Sequence, residues 1–281
     1  MQTVGEIKQI HKIIREQKVN GKKVAFVPTM GNLHAGHISL ITKAVEAGDF
    51  VVSSVFVNPL QFCEGEDYGE YPRTLKEDQE KLKDAGCDLL FAPPVSEMYP
   101  RAKVTNVIAP AEITDTLCGL SRPGHFAGVT TVVTKLFGIV QPDIAVFGKK
   151  DFQQLAVIRR MTEDLSLPIE IIGMETVREA DGLAMSSRNS FLSEPDRKTA
   201  IAISENLKKA KAQIESGNKD FAAIEKSGRA ELESVGFVVD YFTVREQATL
   251  NNATIDDRKL VILVAAKLGS TRLIDNIDFV L

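Results

Sequence analysis

Of the four histidines in the 281 residues, His11, His34, His37 and His125, two fall together in VPTMGNLHAGH, residues 27–37. Imidazoles three apart at a helix start lie on one side of its first turn. There they can donate to phosphate oxygens and stabilise negative charge that builds during a displacement. The helix N-terminus would add unpaired N–H groups and the positive end of a dipole, a ready anion site. Gly31 and Gly36 would let the backbone approach a phosphate closely. The competing readings are a surface pair or two ligands of a metal site. A metal needs a third ligand, and no Cys/His cluster lies nearby to supply one.

Two further stretches carry compatible chemistry. In FGKKDFQQ, residues 147–154, a strand ends in Gly148, Lys149 and Lys150 follow, and Asp151 is placed to cap the next helix. In MSSRN, residues 185–189, two serines stand beside Arg188, whose planar fork suits a phosphate. Each alone also reads as a solvated loop with a helix cap. A histidine pair, a lysine turn and a Ser-Ser-Arg loop on one α/β frame describe a triphosphate site.

The elements that must position these residues are legible from periodicity. VAFVP (24–28), FVVSSVFV (50–57), DLLFAPP (88–94), DIAVFG (143–148) and IEIIGMETV (169–177) are apolar runs of strand length. Between them lie helical patterns: HISLITKAVEAG, PRTLKEDQEKLKDAG (72–86) and DFQQLAVIRRMTEDL (151–165). FAGVTTVVTKLFGIVQP (126–142) is β-branched but long, and its length favours a buried helix. Strand–helix alternation predicts right-handed βαβ units, a parallel sheet and a ligand site beyond the strands' carboxyl ends. That places loops 28–37, 58–63 and 148–151 on one rim. The texture changes near 177: two amphipathic helices (194–217 and 221–236) precede two strands, FVVDYFTVRE and KLVILVAAKLG. The expected fold is α/β: a Rossmann-like parallel-sheet domain over 1–176, and a smaller α+β domain over 177–281.

Composition excludes several classes. Net charge is −4 and no dense basic run occurs, which argues against nucleic-acid binding. Three dispersed cysteines without CxxC spacing argue against a disulfide framework and fit a reducing compartment. The N-terminus shows no signal-peptide core, and no apolar stretch approaches the roughly 18 residues of a membrane span, so a cytoplasmic setting is expected.

HAGH fits the HxGH signature of the nucleotidyltransferase superfamily that includes the class I aminoacyl-tRNA synthetases, and MSSRN is similar to its second, KMSKS-like signature. PTMGNLHAGH, VFVNPLQF, YPRT, RPGHFAGV, FGKKDFQQL, DGLAMSSRN and VILVAAKLGSTRLIDN occur in that order. The ordered set resembles the pantothenate synthetase (pantoate–β-alanine ligase) family over nearly the whole chain. HxGH alone is a weak signal; the set is specific. The resemblance implies that D-pantoate attacks the α-phosphorus of ATP to give pantoyl adenylate and pyrophosphate. The β-alanine amine then attacks the acyl carbon, releasing AMP. The first step asks for cations and N–H donors rather than a protein nucleophile.

The resemblance further implies ATP binding by Met30, Gly31, Asn32, Leu33, His34, Ala35, Gly36 and His37, by Gly148, Lys149, Lys150 and Asp151, by Val177, and by Met185, Ser186, Ser187 and Arg188. His37 would donate a proton and stabilise phosphate, helped by His34, Lys150 and Arg188. Gln61 and Gln154, with Asn58 close by, would hold pantoate, since amides donate and accept at once. Mg2+ is expected mainly through the ATP phosphates, with no protein ligand assigned. Asp78 lies in a charge run that reads as a solvated helix face. His125 would border the substrate or cap a helix, and His11 reads as surface. A homodimer is implied. GKKD departs from the family's usual GEKD, putting Lys149 where an acid is common and leaving local charge balance in doubt. The rivals are another HxGH nucleotidyltransferase with a phosphate-ester acceptor, a non-catalytic ATP sensor, and a tRNA-charging enzyme for which no anticodon-binding extension is apparent.

Overall fold

The computed structural model describes all residues, Met1–Leu281. The chain divides into two compact units: Met1–Gly148 with Val157–Glu175, and Lys149–Ala156 with Thr176–Leu281.

The first unit is built on six strands, β1 (Gln2–Val4), β2 (Val24–Thr29), β3 (Phe50–Val55), β4 (Leu89–Phe91), β5 (Ile144–Gly148) and β6 (Glu170–Met174). Their order is β1-β4-β3-β2-β5-β6 and every pairing is parallel. Covered on both faces, the central strands read as unbroken apolar runs; Val24 through Val27 are wholly buried. Helices α1 (Ile7–Val19), α2 (Ala35–Ala47), α3 (Leu75–Asp84), the one-turn α4 (Val95–Met98), α5 (Ala111–Thr114) and α6 (Cys118–Ser121), then α7 (His125–Val140) and α8 (Phe152–Asp164), fill the connections. The ambiguous apolar run resolves as helix α7, with twelve of its residues buried. One core cluster joins Val27, Ile41, Leu82, Leu90 and Val146. Because β2 lies between β3 and β5, Thr29, Val55 and Gly148 end on the same sheet edge, where the loops after β2 and β3 begin.

The second unit contains α9 (Glu194–Thr199), α10 (Ala202–Glu215), α11 (Phe221–Ser234) and the strands β7 (Val238–Glu246), β8 (Lys259–Leu268) and β9 (Thr271–Val280). The strands form an antiparallel sheet in the order β7-β8-β9. Ile203, Leu207, Ile224, Phe242, Ile262 and Phe279 pack within its core. Three differences from the sequence reading stand out. The single helix expected over 194–217 is broken between Thr199 and Ala202. A third strand, β9, completes the sheet. Finally, Lys149–Ala156 groups with the second unit because β9 grips it: Asn276 bonds to the carbonyls of Lys149 and Lys150, and Lys149 pairs with Asp278.

Candidate active site

The histidine turn joins β2 to α2. His34 is the N-cap of α2, so the helix starts at Ala35, two residues earlier than periodicity suggests. The Gly36 N–H donates to His34 Nδ1 at 3.1 Å and the His34 N–H to His37 Nδ1 at 3.3 Å. A neutral imidazole that accepts at Nδ1 carries its proton on Nε2. Both rings are therefore fixed as Nε2–H donors, with centroids 4.1 Å apart.

Most of the backbone N–H groups expected to face an anion here have partners within the turn or on α3. Gly31 N–H donates to Thr29 Oγ1, Asn32 and Leu33 N–H to the Asp78 carboxylate, and His37 N–H to His34 O. These amides hold the shape of the turn.

Asp78 is the residue the sequence reading missed. It is wholly buried, accepts from Asn32 N–H (3.0 Å), Leu33 N–H (2.8 Å) and Thr74 Oγ1 (3.2 Å), and so is no part of a solvated face. One turn on, Lys81 Nζ donates to Leu33 O at 2.7 Å, so α3 clamps this segment by both an N–H and a C=O. Asn32 sits at φ +51°, a region that asparagine tolerates better than most residues. Gly31, at φ +85°, suits a residue without a Cβ; one added there would lie tightly, at 3.0 Å from Val55 Cγ1 and 3.1 Å from Asp78 Oδ2. The signal for Asp78 was available: it lies four residues before the buried Leu82, on the same face of α3.

Gln61 and Asn58 occupy the short 3-10 turn Pro59–Gln61 and its cap, and both are buried. Asn58 Nδ2 donates to Gln61 Oε1 (3.0 Å) and Gly128 O (3.2 Å), while Asn58 Oδ1 accepts from Tyr99 Oη (2.8 Å). Burial pushes the Tyr99 hydroxyl up, keeping it a donor. Gln61 Nε2 lies 3.2 Å from Met30 Sδ, which links this turn to the histidine loop. Helix α7 presses on it directly: a Cβ on Gly128 would stand 2.2 Å from Leu60 O and 2.7 Å from Gln61 Cα. His125, at the start of α7, neither caps a helix nor lies open. Its Nε2 faces the Arg122 donor at 2.9 Å, so its Nδ1 carries the proton and donates to Gln61 O at 2.7 Å. Arg122 is held in turn by Glu66 at 2.6 and 2.7 Å. Burial works to raise the Glu66 carboxyl, but Arg122 outweighs it and holds the group below its ordinary value.

In the second unit, Lys149–Asp151 form a 3-10 turn that runs into α8. Lys149 Nζ is taken by Asp278 at 2.8 Å, whereas Lys150 makes no ion pair. Gln154 lies half-buried on α8 beside the buried Gln153. Val177 and Met185 face each other, Met185 N–H donating to Val177 O, at the base of a hairpin whose arms also pair Arg178 with Ala184. Beyond it Ser186 caps the 3-10 turn Ser187–Phe191, accepting from Arg188 N–H. The expected residues thus fall into two groups. Met30 to His37, Asn58, Gln61 and Gly148 belong to the first unit, and Lys149 to Asp151, Gln154, Val177 and Met185 to Arg188 to the second. No group of three or more His, Cys, Asp or Glu side chains suited to a metal gathers among the described residues.

Comparison with known proteins covers nearly the full length. The chain is similar to the pantothenate synthetase of Pseudomonas fluorescens (strain Pf0-1), 57% identical over 279 residues, 99% of this chain and 97% of that protein. The pantothenate synthetase of Marinobacter nauticus is 54% identical over 280 residues, 99% of each. Among solved structures, pantothenate synthetase from Thermus thermophilus superposes with a TM-score of 0.93 at 44% identity, covering 99% of both chains. The pantoate-beta-alanine ligase of Francisella tularensis, solved with beta-gamma ATP and beta-alanine, matches with a TM-score of 0.83 at 37% identity, covering 99% of this chain and 97% of that one. The sequence model of the Pantoate-beta-alanine ligase family matches residues 2–278, and the chain belongs to that family.

Proposed function

We propose that this chain condenses D-pantoate with β-alanine at the expense of ATP, through a pantoyl adenylate. Family membership across residues 2–278 is the observation that carries this reading, and the Francisella relative solved with an ATP species and beta-alanine supports it. In the first step a pantoate carboxylate oxygen bonds to the α-phosphorus while the bond to the pyrophosphate oxygen breaks. In the second, the β-alanine nitrogen bonds to the acyl carbon, the C–O bond to AMP breaks, and the amine loses a proton.

Charge gathers on phosphate oxygens in the first step, and the histidine turn is suited to meet it. The two Nε2–H groups, held by backbone bonds at Nδ1, are donors set before substrate arrives, which is what electrostatic preorganisation requires. His37 would donate to the phosphate and His34 assist, with Lys150 and Arg188 as the cations. Lys149 would stay on Asp278, so the usual acid at this position is dispensable for nucleotide binding. The remaining nucleotide contacts would come from Met30 to Gly36, Gly148 to Asp151, Val177 and Met185 to Ser187. Gln61 and Gln154 would take the pantoate hydroxyl and carboxylate groups, with Asn58 orienting Gln61 rather than meeting substrate. Mg2+ would arrive on the ATP phosphates, whose hard oxygens suit it. We place the reaction in the cytoplasm, in a homodimer, with the domain from 177 onward closing over ATP to keep water from the adenylate.

The test is pyrophosphate–ATP exchange with purified protein and magnesium, without β-alanine. Exchange that depends on D-pantoate is expected. Binding of ATP with no exchange would overturn the two-step scheme.

A further inference from the structure

Two polar side chains of β9, Asp275 and Asn276, are each only 3% exposed, and the scheme above uses neither. Asn276 Nδ2 donates both its hydrogens, to Lys149 O and to Lys150 O, each at 2.9 Å. Asp275 takes Arg178 by both oxygens, Nη1 to Oδ2 at 2.6 Å and Nη2 to Oδ1 at 3.0 Å. Arg178 donates again to Gly182 O and Asn276 O, and Asn276 N–H closes on Asp275 Oδ1 at 2.7 Å. A single step of one strand therefore grips the lysine turn with one side chain and the hairpin leading to Met185–Arg188 with the other.

Burying an ion pair and an amide is an expensive way to hold a strand, since an apolar pair of similar size generally serves stability as well or better. What these groups add is direction. Two hydrogen bonds from one nitrogen fix both peptide planes of Lys149 and Lys150, and the bidentate pair fixes the root of the hairpin. The same bonds cap two carbonyls whose negative ends would otherwise lie beside a phosphate-binding turn. We infer that Asp275 and Asn276 are positioning residues for ATP: they set the lysine turn and the hairpin at one fixed spacing, so that Lys150 and Arg188 meet the phosphates together. This rests on the reading that Lys150 and Arg188 bind the nucleotide.

The test compares wild type with Asn276→Ala and Asn276→Asp in pantoate-dependent pyrophosphate–ATP exchange, beside calorimetric ATP binding and thermal unfolding. Misplacing catalytic groups by about 1 Å costs roughly 10²-fold, so a kcat loss near that size is expected for Asn276→Ala, with the pantoate KM held within about twofold. The near-isosteric Asn276→Asp keeps the shape but withdraws the donors, and should be no better than alanine. Wild-type kcat in Asn276→Asp, or losses that merely follow the folded fraction, would overturn the inference. Should the Asn276 variants fail to fold, Asp275→Asn is measured instead; it must raise the ATP KM and lower kcat, and an unchanged pair of constants overturns the proposal. A wild type that binds ATP without exchange would defeat the two-step scheme alone. The ATP affinities of wild type and Asn276→Ala would then decide the positioning role, about tenfold weaker binding supporting it and equal affinity ending it.

Discussion

The histidine turn and the lysine turn are braced by remote buried side chains of opposite character. Asp78 accepts from the amides of Asn32 and Leu33, whereas Asn276 donates to the carbonyls of Lys149 and Lys150. The first brace consumes donors and the second consumes acceptors. The difference follows from what each turn has left to offer. The histidine turn keeps two imidazoles that accept backbone N–H at Nδ1 and carry the proton on Nε2, so several of its backbone N–H groups can be given up to hold shape. The lysine turn offers a cation, and bare carbonyls beside it would work against an incoming anion. Each brace removes the backbone groups its turn can spare.

The comparison is broken most sharply at the histidines. His37→Ala should lower exchange turnover by roughly 10²–10³, the scale seen on deleting one charge-stabilising donor, while leaving the lysine turn intact. Near-wild-type turnover would take the imidazole out of the mechanism. Asp78→Asn comes next and is the reciprocal of Asn276→Asp. Its amide would face one N–H with another donor, and an unpaired buried N–H costs about 1–3 kcal/mol. A thermal-unfolding shift of that size should come with a fall in kcat but little change in pantoate KM. If Asp78→Asn behaved as wild type, the charge of the brace would be irrelevant to the turn.

Lys149→Glu sharpens the contrast within the lysine turn. It sets an acid against Asp278 and forfeits a largely buried ion pair, yet should move the ATP KM less than tenfold. Lys150→Ala should move it more. Equal effects at both positions would mean that Lys149 leaves Asp278 for the nucleotide.

The smallest effect belongs to the Glu66–Arg122 pair behind Gln61. The folded Glu66 carboxyl lies below its ordinary value of 4.5. Its stabilisation is therefore fully present above that pH and is lost as pH falls through the lowered folded value. The Tm difference between wild type and Glu66→Gln should stay flat from pH 8 to about 5 and shrink in stronger acid. A difference that faded near neutrality would contradict the assignment.

The parallel sheet was legible because β2, β3 and β5 are buried on both faces and say so in unbroken apolar runs. β9 was not. Its alternation, Leu273 and Phe279 inward, is interrupted by the buried pair Asp275 and Asn276. Those residues made the strand unreadable because they serve the lysine turn and Arg178 rather than the core, as expected where local pattern yields to a site. Asp78 is hidden for the related reason that a carboxylate on the face of the buried Leu82 stands among charged neighbours. β1 is only three residues long and pairs solely with β4, too little pattern to detect. The chemistry-bearing strings themselves were plain, but the packing beneath them was not. Nothing in RPGHFAGV announces that its second glycine exists so that α7 can lie against the Gln61 backbone.

The lysine turn and its brace are separated by 126 and 127 residues, and that distance has a consequence for biosynthesis. At about 5–20 residues per second, the ribosome takes roughly 6 to 25 s to reach Asn276 after it has made the turn. During that interval the parallel strands can already assemble, since β6 ends at Met174, while the carbonyls of Lys149 and Lys150 stay open to other partners. A nascent chain that has made β6 but not yet Asn276 lacks the bonds that hold the lysine turn, and a chaperone acting at that stage would have the most to protect.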